Sequence, residues 1–143
     1  MNPFGHLKSR FALPITALLV GIAIGMSAMC ALNTKHHHSV EAAQLLRADL
    51  TGMPDKEVLM SVIEVQPGAG IAPHLHHGDE FVYVIEGSYE RFIGQTRFVA
   101  NEGTGFSVER ERIHGGKAAG TSPTKLLTVH VLDKGRPFAE AAQ

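Results

Sequence analysis

The stretch Gly68–Gly87, GAGIAPHLHHGDEFVYVIEG, constrains the fold of this chain more than any other. His74 and His76 lie two residues apart: on a strand, where side chains alternate between faces, both point the same way, whereas on a helix they diverge. Pro67 and Pro73, with Gly68 and Gly70, disfavour a helix, so the pair belongs to a strand. His77-Gly78-Asp79 makes a short turn-like break, and Glu80-Phe81-Val82-Tyr83-Val84-Ile85 then has the β-branched and aromatic content of a second strand. With Glu80 inward, Val82 and Val84 are inward too, while Phe81, Tyr83 and Ile85 take the opposite face. Both faces are apolar, so both are expected to be covered. Two imidazoles and a carboxylate brought to one point are the donors of a transition-metal site, and His114, further along, is a fourth candidate.

The remaining chain reads mostly as strands. Gln44–Leu50 alternates Leu46, Ala48 and Leu50 with Arg47 and Asp49, although the Ala, Leu and Glu content of the longer segment from Ser39 to Leu50 also suits a helix. Residues 51–55 form a turn, and Lys56–Val65 is a firm strand. Ser88–Ile93 and Thr96–Val99 form a hairpin around Gly94-Gln95, Phe106–Val108 is a short strand, and Lys125–Leu132 is a long final one. Many short strands separated by Gly-containing turns predict an all-β sandwich or barrel. Residues 133–143 read as a polar, peripheral tail.

The first 32 residues stand apart. His6, Lys8 and Arg10 precede a mostly apolar, uncharged run from Phe11 to Leu32 that ends in small residues, as an export signal does, with cleavage best after Cys30 or Ala31. The run is also about as long as the roughly 20-residue membrane span, so an uncleaved anchor is the alternative. Cys30 is the sole cysteine, and Met29 before it disfavours a lipid anchor. The exported domain then has no thiol, and any metal is held by nitrogen and oxygen. Residues 33–43 form a linker in which His36-His37-His38 is a solvated tether. A formal net charge of -1 and the absence of Trp leave no basic, aromatic-laced stripe for a nucleic acid.

The chain resembles the cupin superfamily, in the small single-domain, cupin 2 conserved-barrel form. The family's first motif is Gly, five residues, His-x-His, three or four residues, Glu, six residues, Gly, and Gly68, His74, His76, Glu80 and Gly87 fill each place. In the second motif Gly103 and His114 stand in register, but Glu109, Glu111 and Ala118 replace the usual Pro, Gly and Asn. The hairpin presenting His114 has thus lost its turn-forming residues, and Gly115-Gly116 offers flexibility in their stead. The resemblance spans about residues 44–132.

It implies a jelly-roll barrel in which His74, His76, Glu80 and His114 hold one divalent transition metal, with iron, manganese, nickel and zinc all compatible with these donors. It also implies a homodimer. His77 is expected to face away from the site, and His130, among Leu127, Val129 and Val131, to be structural or outward. Arg112, close to His114, is in reach of an anionic substrate. The favoured function is a metal-dependent, dioxygenase-like enzyme on a small organic substrate, with Glu80 also moving a proton. The alternatives are a redox-silent metal lyase, isomerase or decarboxylase, and a non-catalytic binding module outside the cytoplasm.

Overall fold

The computed structural model describes residues 39–142, and among them every regular element is a strand. In chain order these are β1 (Val40–Leu50), β2 (Met53–Val65), β3 (Gly70–Leu75), β4 (Gly78–Glu86) and β5 (Ser88–Ile93). They continue as β6 (Thr96–Asn101), β7 (Gly105–Val108), β8 (His114–Ala118), β9 (Thr124–Asp133) and β10 (Glu140–Ala141). Two five-stranded antiparallel sheets result, one in the order β1-β2-β9-β4-β7 and the other β10-β3-β8-β5-β6. Val65, Val82, Val84 and Leu126 of the first sheet and Tyr89, Ala100 and Ala118 of the second pack into one buried cluster. The sheets therefore meet face to face, as in a jelly roll.

Alternation decides which side chains enter the interior. Along β4, Glu80, Val82 and Val84 are buried while Phe81 and Tyr83 are about half exposed, at 49% and 47%. The inward set is the one the sequence predicts, but the outer face of β4 is uncovered in the single chain. Along β9 the buried set is Thr124, Leu126, Thr128, His130 and Leu132. Register extends this to β2, where Leu59 opposes His130 and Ile63 opposes Leu126. Val84 and Leu126, at 0% and 2% exposure, anchor the apolar end of the interior. Burying such a side chain is worth about 1.5–3 kcal/mol. Further along the same strands Glu80 and His130 face inward, so the chain that builds the core also carries the site.

Four local expectations change. β1 begins at Val40, so residues 40–43 belong to the sheet and not to a linker; they pair with Val62–Val65 of β2. The tail is not peripheral, because β10 adds to β3 through Glu140↔Leu75 and Ala141↔His74. The hairpin before His114 keeps its turn without glycine: Glu111 takes a left-handed φ of 61°, and its N–H donates to the His76 carbonyl at 2.9 Å. Gly115-Gly116 gives close packing and not flexibility, since a Cβ at Gly116 would lie 2.5 Å from the Glu90 carbonyl and 2.6 Å from Tyr89 Cζ. The segment expected at residues 1–32 and the tether through His38 lie outside the described residues.

Candidate metal centre

Register assembles the site. His74 on β3 sits opposite His114 on β8 in one sheet, and Glu80 on β4 sits opposite His130 on β9 in the other. The two cross-strand pairs face each other across the interior, and His76, just past the end of β3, lies among them. His74, His76 and His114 form one set of donors, and His76, Glu80 and His130 a second, the ligand atoms in each lying within 4.8 Å of one another. All but His74 are buried. They line a cavity of about 160 Å³ whose other walls include Ile71, Val82, Phe92, Phe106 and Val108.

The hydrogen bonds behind the rings fix what they present. His74 Nδ1–H donates to the Ala72 carbonyl at 2.8 Å, His76 Nδ1–H to the Phe138 carbonyl at 2.6 Å, and His114 Nδ1–H to the Arg112 carbonyl at 2.8 Å. With Nδ1 protonated, each neutral ring offers a bare Nε2 lone pair. Two of these, on His74 and His76, are 3.1 Å apart. His114 Nε2, buried and without a hydrogen bond, is 3.0 Å from Glu80 Oε2. Lone pairs crowded this closely repel unless a proton or cation lies between them. Backbone carbonyls holding imidazoles in this tautomer are the usual outer support of a metal site, and three nitrogens with a carboxylate suit a divalent transition metal. The residues fit such an ion.

Electrostatics agree. Burial pushes His76 down to about 4 and also lowers His74, keeping both rings neutral near pH 7. Burial opposes ionisation of Glu80, but the imidazoles of His114 and His130 beside it outweigh burial and hold the carboxyl well below its usual range. Burial likewise opposes charge on His114, and the Glu80 carboxylate reverses the balance and raises it. The Glu80 carboxylate thus favours positive charge beside His114, as it would favour a cation held there.

His130 corrects the sequence reading. It is 1% exposed, its Nε2 is 3.4 Å from Glu80 Oε1, and neither ring nitrogen has a hydrogen-bond partner. Leu127, Val129 and Val131, the residues that made it look structural, are on the outer face. The outward set of β9 is more apolar than the inward one, so hydropathy selects the wrong side; the signal that finds His130 is its pairing with Glu80. His77 does face away from the cluster, yet it is buried and receives the tail, with Nε2 2.7 Å from Glu140 Oε1. Phe138, also from the tail, puts its ring 4.8 Å from that of His76 and 5.0 Å from that of His130. Arg112 is exposed and outside the cavity, whereas Arg91, unnoticed in the sequence, lines it.

A family model described as a cupin domain matches residues 61–130, the stretch that carries all of these donors. That stretch is a domain of the cupin superfamily. Its fold is similar to that of a cupin 2 conserved barrel domain protein from Rhodopseudomonas palustris, with TM-score 0.60 and 17% identity over 78% of this chain and 73% of that one. A cupin superfamily protein from Desulfitobacterium hafniense gives TM-score 0.57 and 16% identity over 92% and 100% of the two chains. The polyketide cyclase RemF from Streptomyces resistomycificus gives 0.58 and 21% over 73% and 71%. At these identities the likeness is one of fold, and function rests on the site. No curated protein matches the sequence.

Proposed function

We propose that this cupin is a metal-dependent enzyme acting on a small organic molecule, with dioxygen as co-substrate in the leading reading. The observation that carries it is the convergence of the bare Nε2 atoms of His74, His76 and His114 beside Glu80, at the wall of a largely apolar cavity. A divalent transition metal bound there supplies a Lewis acid and, when redox-active, an electron source for dioxygen chemistry. The chain's own part is to hold neutral imidazoles in one tautomer, to offset charge with Glu80, and to exclude water with Ile71, Phe106 and Val108.

His130 favours a second reading. Its two unpartnered nitrogens beside Glu80 supply the proton acceptor that redox-silent lyase, isomerase or decarboxylase chemistry needs. The test uses full chain purified without a nickel column and reconstituted in turn with iron, manganese, nickel and zinc. Oxygen uptake with a phenolic or enolic substrate supports the first reading, and turnover with zinc without oxygen supports the second. Inertness across the panel leaves a binding module. His76→Ala and His114→Ala are each expected to lower metal content sharply, and unchanged content in both by elemental analysis ends the metal reading.

Export by residues 1–32 and pairing of two chains belong to the same proposal. Phe81 and Tyr83 stand beside Val129 and Leu127 on the outer face, a surface suited to a homodimer. Light scattering that returns a monomer at micromolar concentration counts against it.

A further inference from the structure

Among the described residues, Arg91 on β5 is the one Lys or Arg that lines the cavity. Ile93, two residues further along the strand, opposes His114, so at about 3.3 Å per residue Arg91 lies roughly 7 Å along the wall from the cluster. Its guanidinium carbon sits 4.3 Å from the ring centroid of Phe98 and 3.7 Å from that of Phe106. Those rings stabilise the cation through its face. The N–H donors lie in its plane, and there Nε and Nη1 are buried without any hydrogen-bond acceptor. Among the described residues no carboxylate pairs with it. Burial disfavours its charge, and the Glu80 carboxylate acts on it in the opposite sense. A guanidinium does not deprotonate in a protein, so these are two buried donors of a permanent cation with nothing to hold.

Charge in the cavity points the same way. Glu80 and Arg91 offset one another, and a divalent cation on the imidazoles leaves an excess of positive charge in a site of low dielectric. We propose that Arg91 is the anion-binding residue of this cavity and that its ligand is a small organic carboxylate, held by an unpartnered guanidinium N–H while the rest of the molecule extends toward the imidazole cluster. The cavity, at about 160 Å³, is close in size to an engineered cavity of about 150 Å³ that accepts benzene, which limits the ligand to a few carbon atoms or one ring. The proposal rests on the metal reading for the charge excess and for what the far end of the ligand meets, and not for the unpartnered donors of Arg91.

Calorimetry on the full chain, zinc-loaded and metal-free, with acetate, butyrate and benzoate against their neutral amides, tests it. At least one acid is expected to bind about tenfold or more tighter than its amide, the range of a charge-assisted hydrogen bond to a guanidinium. Arg91→Met removes that preference at unchanged zinc content. Arg91→Lys keeps part of it, because an ammonium is a point charge without the fork. Lys117→Met, outside the cavity, leaves it intact. Equal binding of acids and amides to the parent, or a preference that survives Arg91→Met, overturns the proposal. Should Arg91→Met not fold, a preference unchanged in Arg91→Lys overturns it. A chain that takes up no zinc yet keeps an Arg91-dependent preference loses the metal reading and retains the anion site.

Discussion

Removing residues 137–143 is expected to weaken zinc binding although none of them is a ligand. The Phe138 carbonyl accepts the Nδ1–H of His76 at 2.6 Å and so directs the bare Nε2 into the site. Loss of such an outer partner costs about 10–100-fold in metal affinity, or about 1.4–2.7 kcal/mol. Phe138→Ala separates carbonyl from ring. The β10–β3 pairing, the Glu140 contact with His77 and the bond from Ala142 N to the Pro73 carbonyl at 3.1 Å keep the backbone in place. Only the ring contacts with His76 and His130 go, each worth about 0.5–1.5 kcal/mol. Competition with a chromophoric zinc chelator should therefore rank the full chain first, Phe138→Ala second and the truncated chain last. Coupling is reciprocal, so zinc should also slow proteolysis of the segment. A truncated chain that binds zinc as tightly as the full one refutes the reasoning.

Other consequences concern the fold. Gly116→Ala forces a Cβ to within 2.6 Å of Tyr89 Cζ and 2.5 Å of the Glu90 carbonyl, and should destabilise by about 3 kcal/mol in urea unfolding. Glu111→Gly should stabilise by about 0.5–1 kcal/mol in the same assay, because relief of the left-handed strain at φ 61° exceeds the added backbone entropy of glycine. Without metal, stability should fall as pH is lowered from 6.5 toward 4. His76, near 4 when folded and 6.5 when free, binds its proton more readily in the unfolded chain across that window, and His74 acts in the same sense. Glu80, also depressed, extends the loss below 4.5. His114, raised, opposes the trend. A stability that is flat or rises on acidification, by urea titration at each pH, contradicts this balance.

The sequence by itself determined the strand character and the first donors. His74, His76 and Glu80 are spaced so that local alternation and one turn suffice to bring them together, and Val82 and Val84 follow Glu80 inward by the same two-residue period. Turn chemistry was less legible: Glu111 keeps a left-handed turn that its side chain does not advertise, held by the His76 carbonyl. Only the tertiary structure decided the rest. His130 enters the site because β9 pairs with β4 in a register that sets it against Glu80, while its own strand carries more apolar residues on the outside. Phe138 reaches His76 by the return of the tail along β3, and Arg91 turns inward because β5 places it under Phe98 and Phe106. Spacing along a strand fixes neighbours a few residues apart; which distant strand lies opposite depends on the packing of the whole sheet, and this half of the site comes from there.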